Sequence, residues 1–168
     1  VTVHDSGQLS LGAGLQIITA AKAAAAGASI NEIVTQLKDL GRRTYIYAVL
    51  DTLKYLQRSG RVNLATLGVG SLLRIKPLMT IHESEPISEK ISTRFRAIQR
   101  MTRYIEERGP LAELHYLHTQ AIESAKAYQE KTMALIPTNT KPRFQSITPV
   151  IGTHVGPNVL GVVCVTKE

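Results

Sequence analysis

Tryptophan is absent from this 168-residue chain, phenylalanine occurs twice and cysteine once. A single cysteine excludes an intrachain disulfide and any Cys-x-x-Cys metal site. Cys164 stands in a run of valines, the setting of a small buried hydrophobe. Aromatic residues make up 5% of the chain against 43% hydrophobic residues in all, so the core has to be aliphatic. No apolar run approaches the ~20 residues of a membrane-spanning helix. No signal-peptide pattern opens the chain either, and the expectation is a cytoplasmic protein. Catalytic signatures are equally scarce. There is no Gly-x-Gly-x-x-Gly and no P-loop. The glycines of residues 67–71 are followed by apolar residues, not by the Lys-Ser/Thr pair that a phosphate cradle requires. No serine occupies a nucleophile elbow, which argues against a hydrolase and leaves the chain without an enzymatic signature. His115 and His118 sit three apart on a predicted strand, where alternation sends them to opposite faces, one buried and one exposed. They cannot share a metal ion. His4-Asp5 and His82-Glu83 fall in predicted turns.

What the chain does carry is charge and apolar periodicity. Twenty Lys and Arg against 13 Asp and Glu give a net charge of +7. That balance suits an anionic partner: nucleic acid, a membrane surface, an acidic protein or an acidic ligand. In chain order, residues 1–5 predict a strand and residues 10–26 an alanine-rich helix closed by Gly27. Ser29 with Glu32 predicts a capping box for a second helix, with Ile30, Ile33, Val34, Leu37 and Leu40 on one stripe. Residues 44–50 are strand-like, and Asp51 is placed to cap a short helix ending near Ser59-Gly60. After Arg61 the spacing is helical until Pro77 forces an extended segment. The longest helix is predicted over 88–108, with Ile91, Phe95, Ile98, Met101 and Ile105 on one arc and Arg96, Arg100 and Arg103 opposite. No recognition-helix pair or RNA-binding aromatic motif accompanies those arginines, so nucleic acid is not the expected partner.

A strand over 112–118 and a helix over 119–136 lead to residues 147–165, ITPVIGTHVGPNVLGVVCV. There two β-branched runs flank a Gly-Thr-His-Val-Gly-Pro turn, which predicts consecutive strands holding His154 at the rim of the core. The glycines beside His154 leave backbone N–H groups open, as an anion nest requires. A structural histidine and an anion ligand both fit that pattern. Arg61 and Lys76 each lie at a break between apolar elements, where capping, ion pairing and anion contact are all open to them. Together the elements predict an α/β fold: a mixed β-sheet with helices packed mainly on one face.

Three segments carry a family resemblance: VLDTLKYLQRSGRVN (49–63), LLRIKPLMTI (72–81) and IGTHVGPNVLGV (151–162). In that order and spacing they resemble the second half of the DegV-family fatty-acid-binding proteins. VTVHDS followed by SLGAGL resembles that family's chain just after its midpoint. The resemblance covers essentially all residues and implies the second domain of the DegV-like fold. Residues 1–42 would be a leading strand and two helices bridging from a first domain that this sequence lacks, and residues 43–168 the lipid-binding mixed-sheet domain. The implied ligand is one long-chain fatty acid, with no cofactor and no metal. Its acyl tail would lie in the apolar interior and its carboxylate at the domain junction, met by His154 with Thr153 and Gly156 beside it. Arg61, Lys76 and Arg94 would be further anion or partner contacts, Arg94 lying next to the place where a family arginine is Ser92 here. The implied partners are a separate fatty acid kinase, which phosphorylates the presented carboxylate, and an anionic membrane surface. The first residue is Val, as in a fragment or a processed chain. The alternative, from a different class, is a structural or interaction domain without ligand binding. A partner, or a second copy in a homodimer, would then cover its apolar surface.

Overall fold

The structure is a computed structural model that describes residues 1–61 and 75–167. Its central strand is β6 (Leu160–Thr166), in which every residue but the last is buried. The valines favour extended backbone, and the near-absence of polar side chains lets both faces be covered. β6 lies between β1 (Thr44–Val49) and β4 (Leu111–His118), antiparallel to both. β2 (Lys76–His82) and β3 (Glu85–Ile91) extend the sheet beyond β1. At the other edge the three-residue β5 (Phe144–Ser146) runs parallel to β4. The order β3-β2-β1-β6-β4-β5 is the mixed sheet expected from the sequence.

On one face Leu160, Val162 and Cys164 meet α4 (Arg94–Glu107) and α5 (Ile122–Lys131) through Ala97, Met101, Ile105, Ala125 and Tyr128. This half of the core is close-packed: Tyr47, Met101, Ile105, Leu114, Tyr116 and Cys164 are all fully buried. Burial pushes the Cys164 thiol up to about 12, which keeps it an inert apolar group. On the other face Ile46, Leu117, Val163 and Val165 pack against Leu11 and Leu15 of α1 (Ser10–Ala25) and Leu40 of α2 (Ile30–Arg43). The long helices of residues 43–168 thus share one face, and α1 and α2 take part of the other. A third apolar cluster, Leu50, Leu53, Leu56 and Val159, joins α3 (Lys54–Arg58) to α6 (Pro149–Val155) at one end of the sheet. Among the described residues no helix is long and apolar enough to cross a membrane.

Several local expectations are corrected. Residues 1–5 form no strand. The segment is held by side chains instead, His4 Nε2 bonding Gln16 Oε1 at 2.9 Å. The helix expected over 88–108 begins only at Arg94, where Thr93 Oγ1 accepts from the Arg96 N–H at 3.2 Å. Residues 85–91 are β3, folded back on β2 by the two-residue turn Glu83-Ser84. Asp51 does not cap α3: Thr52 Oγ1 accepts from the Lys54 N–H at 3.2 Å, and Asp51 pairs with Lys76. α5 is shorter than predicted and gives way to a 3-10 turn, Met133–Leu135. Residues 147–151, expected as strand, and the first part of the turn expected over 152–157 instead contain α6, with Pro149 in its first turn. Proline's fixed φ is preorganised for that position and overrides the β-propensity around it. His115 and His118 do take opposite faces of β4, but both are buried, since both faces are covered. The helical spacing after Arg61 and the glycines of 67–71 lie outside the described residues.

Candidate functional site

Seven residues are too few for a helix to hold itself in water, so α6 depends on its ends. On entry, the Ile147 N–H donates to the His118 carbonyl at 2.8 Å. On exit, the Gly156 N–H closes the last turn on the Gly152 carbonyl at 2.8 Å. Gly156 has φ +80°, and a Cβ there would overlap the Tyr55 ring, so only glycine fits. Asn158, at φ 59°, completes the return into β6; asparagine tolerates that left-handed backbone better than most residues. Thr119 Oγ1 bridges the return, donating to the Gly156 carbonyl at 2.8 Å and accepting from the Val159 N–H at 2.9 Å.

Beside α6 the strand register lines up Met79, Ala48, Gly161 and Leu117 as direct neighbours across β2, β1, β6 and β4. Neighbours in an antiparallel register share a face, here the one away from α4 and α5. The two smallest side chains stand in the middle, a trough in side-chain size between Met79 and Leu117, with Gly161 and Leu117 themselves buried. A Cβ added at Gly161 would lie 2.9 Å from the Tyr47 carbonyl oxygen and 3.3 Å from Ala48 Cβ. Ala48, Met79, Ile147 and Val155 pack against the α3–α6 cluster, so α6 stands at one end of an apolar trough.

His154 lies in the last turn of α6 and is half-buried. Its Nδ1 is buried and has no hydrogen-bond partner among the described residues. An unbonded buried polar atom costs ~1–3 kcal/mol, so the position gains whatever group can bond there. A cavity of ≈ 550 Å³ opens on another side of α6, between Tyr55, Thr119, Gln120, Ile147, Thr153 and Gly156. No Lys or Arg is among its described lining residues. At 100° per residue, α6 turns Gly152, Thr153 and Gly156 toward this cavity and His154 away from it. Thr153 Oγ1 is already engaged, donating to the Val150 carbonyl at 2.8 Å. The predicted head-group residues are therefore divided between two sides of one short helix.

The family profile described as "Uncharacterised protein, DegV family" matches residues 1–167. The chain belongs to the DegV family. A DegV domain-containing protein of Streptomyces coelicolor is 33% identical over 167 residues, a match covering 97% of this chain and 59% of the relative. The structure of a DegV family protein from Corynebacterium glutamicum superposes with a TM-score of 0.87 at 24% identity, covering 100% of this chain and 65% of that one. DegV from Bacillus subtilis, a fatty acid binding protein, superposes with a TM-score of 0.77 at 29% identity over 99% of this chain and 61% of its own. The chain spans about three fifths of the length of the curated relatives it matches.

In this DegV chain the other predicted contacts do not converge on α6. Lys76 Nζ is held by Asp51, at 2.6 Å from the carboxylate and 2.8 Å from the carbonyl oxygen. Arg61 is exposed and donates to the Ser59 carbonyl at 2.8 Å. Arg94 opens α4, on the face opposite the trough, and its Nη1 is also buried without a partner among the described residues. No group of three or more His, Cys, Asp or Glu suited to a metal ion occurs among the described residues. A second cleft, ≈ 510 Å³, is lined by Asp5 and Glu83 together with Lys38 and Arg42, a mixed-charge surface unlike an acyl slot. Sequence reasoning missed Thr119, Tyr55, Ala48 and Gly161. Small residues within strands are a visible signal for the last two, but only the register shows that they adjoin.

Proposed function

We propose that the chain is a fatty-acid-binding carrier module. The acyl tail lies along the row Met79, Ala48, Gly161 and Leu117, and His154 bonds the carboxylate at the α6 end. The observation that carries this reading is the buried, unpartnered Nδ1 of His154, on a helix whose Val155 packs against the same apolar cluster as Ala48 and Met79. A carboxylate supplies the acceptor that an Nδ1–H needs, and a linear alkyl chain needs only apolar surface. The fatty acid binding described for the Bacillus subtilis relative supports the ligand class. The partial exposure of Ala48 and Met79 favours their face of the sheet for the tail. Burying about fifteen methylenes at ~0.8 kcal/mol each gives roughly 12 kcal/mol before association and ordering costs. The tail therefore sets the affinity, and the head-group contact sets which end is held.

On this reading the chain binds and presents; it makes and breaks no bond. The presented carboxylate is the substrate of a separate cytoplasmic kinase, and the net charge of +7 favours encounter with anionic membrane, where fatty acids reside. Residues 1–42 then connect the mixed-sheet domain of residues 43–168 to the remainder of a longer binding protein. Calorimetric titration with palmitate tests the site. The wild-type chain is expected to bind, Ala48→Leu to lose binding by filling the trough, and His154→Ala to bind about tenfold more weakly. No binding by the wild type, or unchanged binding by a folded Ala48→Leu, overturns the proposal.

A further inference from the structure

We infer that Thr119 is the positioning residue that sets the His154 imidazole, by locking the return of the chain after α6. This rests on the fatty-acid reading and deepens it. Thr119 follows directly on β4 and is 6% exposed. Its hydroxyl donates to the Gly156 carbonyl at 2.8 Å and accepts from the Val159 N–H at 2.9 Å. Its backbone adds two bonds, accepting from the Asn158 N–H at 3.0 Å and donating to the Val159 carbonyl at 3.2 Å. One residue thus holds residues 156, 158 and 159. The residue before it, His118, receives the Ile147 N–H, so the end of β4 anchors α6 on entry and on exit.

The geometry transmits any slip at Thr119 to His154. Gly156 closes the last turn of α6 and stands two residues from the imidazole. The Tyr55 ring lies against Gly156 on another side, so the return cannot relax in that direction. Valine has threonine's shape without its hydroxyl. Thr119→Val strands the Gly156 carbonyl and the Val159 N–H, both in buried residues. Leaving buried groups unbonded is costly, and moving the return together with α6 relieves it. The trough is set by strand register, which the Thr119 hydroxyl does not touch. Loss of that hydroxyl therefore acts on the acid end of a ligand and not on its tail.

The test compares palmitate with palmityl alcohol, which keeps the tail and lacks the carboxylate, on wild type, Thr119→Val and Thr119→Ser. It is joined to NMR of the His154 ring, assigned by its loss in His154→Ala. Thr119→Val is expected to lower palmitate affinity about tenfold while changing the alcohol by less than about twofold. Thr119→Ser restores the acid, and in the His154→Ala background Thr119→Val has no further effect on palmitate. The His154 ring resonances shift in Thr119→Val and not in Thr119→Ser. Equal losses for acid and alcohol, no loss for either, or an unmoved His154 resonance overturns the inference. If the wild type binds neither ligand, the fatty-acid reading fails and the His154 resonance alone decides the positioning role. Should Thr119→Val not fold, Thr119→Ala is carried through the same comparison.

Discussion

His115 is 3% exposed, and its two ring nitrogens have different partners. Nε2–H donates to Glu113 at 2.6 Å, and Nδ1 accepts from the Arg143 N–H at 3.1 Å, just ahead of the strand that feeds α6. His4 and His82 are bonded to Gln16 and to the Thr44 carbonyl, and His118 accepts from the Ala121 N–H. Against these bonded histidines, the buried Nδ1 of His154 stands apart in having no partner among the described residues, which is what the proposed head-group contact requires. The hydrogen bond from His115 holds the Glu113 carboxyl below its ordinary value of 4.5, against the opposing effect of burial. A lowered carboxyl contributes stability that is present above its unfolded value and lost as pH falls through the folded one. Glu113 is 41% exposed, so solvent screens the contribution and keeps it modest. Urea unfolding should show wild type losing stability faster than Glu113→Gln as pH drops below about 4.5. Parallel losses in the two proteins would remove Glu113 from the account.

At the scale of elements, the β2–β3 hairpin carries removable strain. Glu83 and Ser84 both have positive φ, 47° and 67°, in a two-residue turn that favours Asn-Gly. Replacing them by Glu83→Asn and Ser84→Gly is expected to stabilise the protein by about 1–2 kcal/mol, read as a Tm raised by several degrees. An unchanged or lower Tm would contradict that. The same turn explains why β3 was illegible in the sequence, since neither residue announces a hairpin and the register of its neighbours is non-local. α2 was legible because its signal is local: Ser29 and Glu32 form the capping box, with the Ser29 N–H donating to the Glu32 carboxylate at 2.7 Å. α6 shows the two kinds of signal in conflict. Ile147, Val150 and Ile151 favoured strand, and the Thr148-Pro149 start decided for helix. The stretch before His154 was therefore given the wrong secondary structure.

For the molecule as a whole, the mixed sheet follows from alternating apolar segments and was legible. The trough was not, because it arises only when residues from four strands come into register. Many of the basic residues have internal tasks: Lys76 binds Asp51, Arg43 binds Asp39, Arg100 binds Glu89, Lys126 binds Glu123, and Arg108 donates to the Tyr47 hydroxyl at 2.8 Å over the Tyr45 ring. Both faces of the sheet carry buried apolar side chains, one under α4 and α5, the other under α1 and α2 with the small residues Ala48 and Gly161 toward α6. The most direct measurement is native mass spectrometry of the purified chain after incubation with palmitate, alongside Ala48→Leu. The account predicts one palmitate retained per wild-type chain and none on the variant. A wild-type chain that retains no palmitate, or a folded Ala48→Leu that retains it equally, would contradict the account.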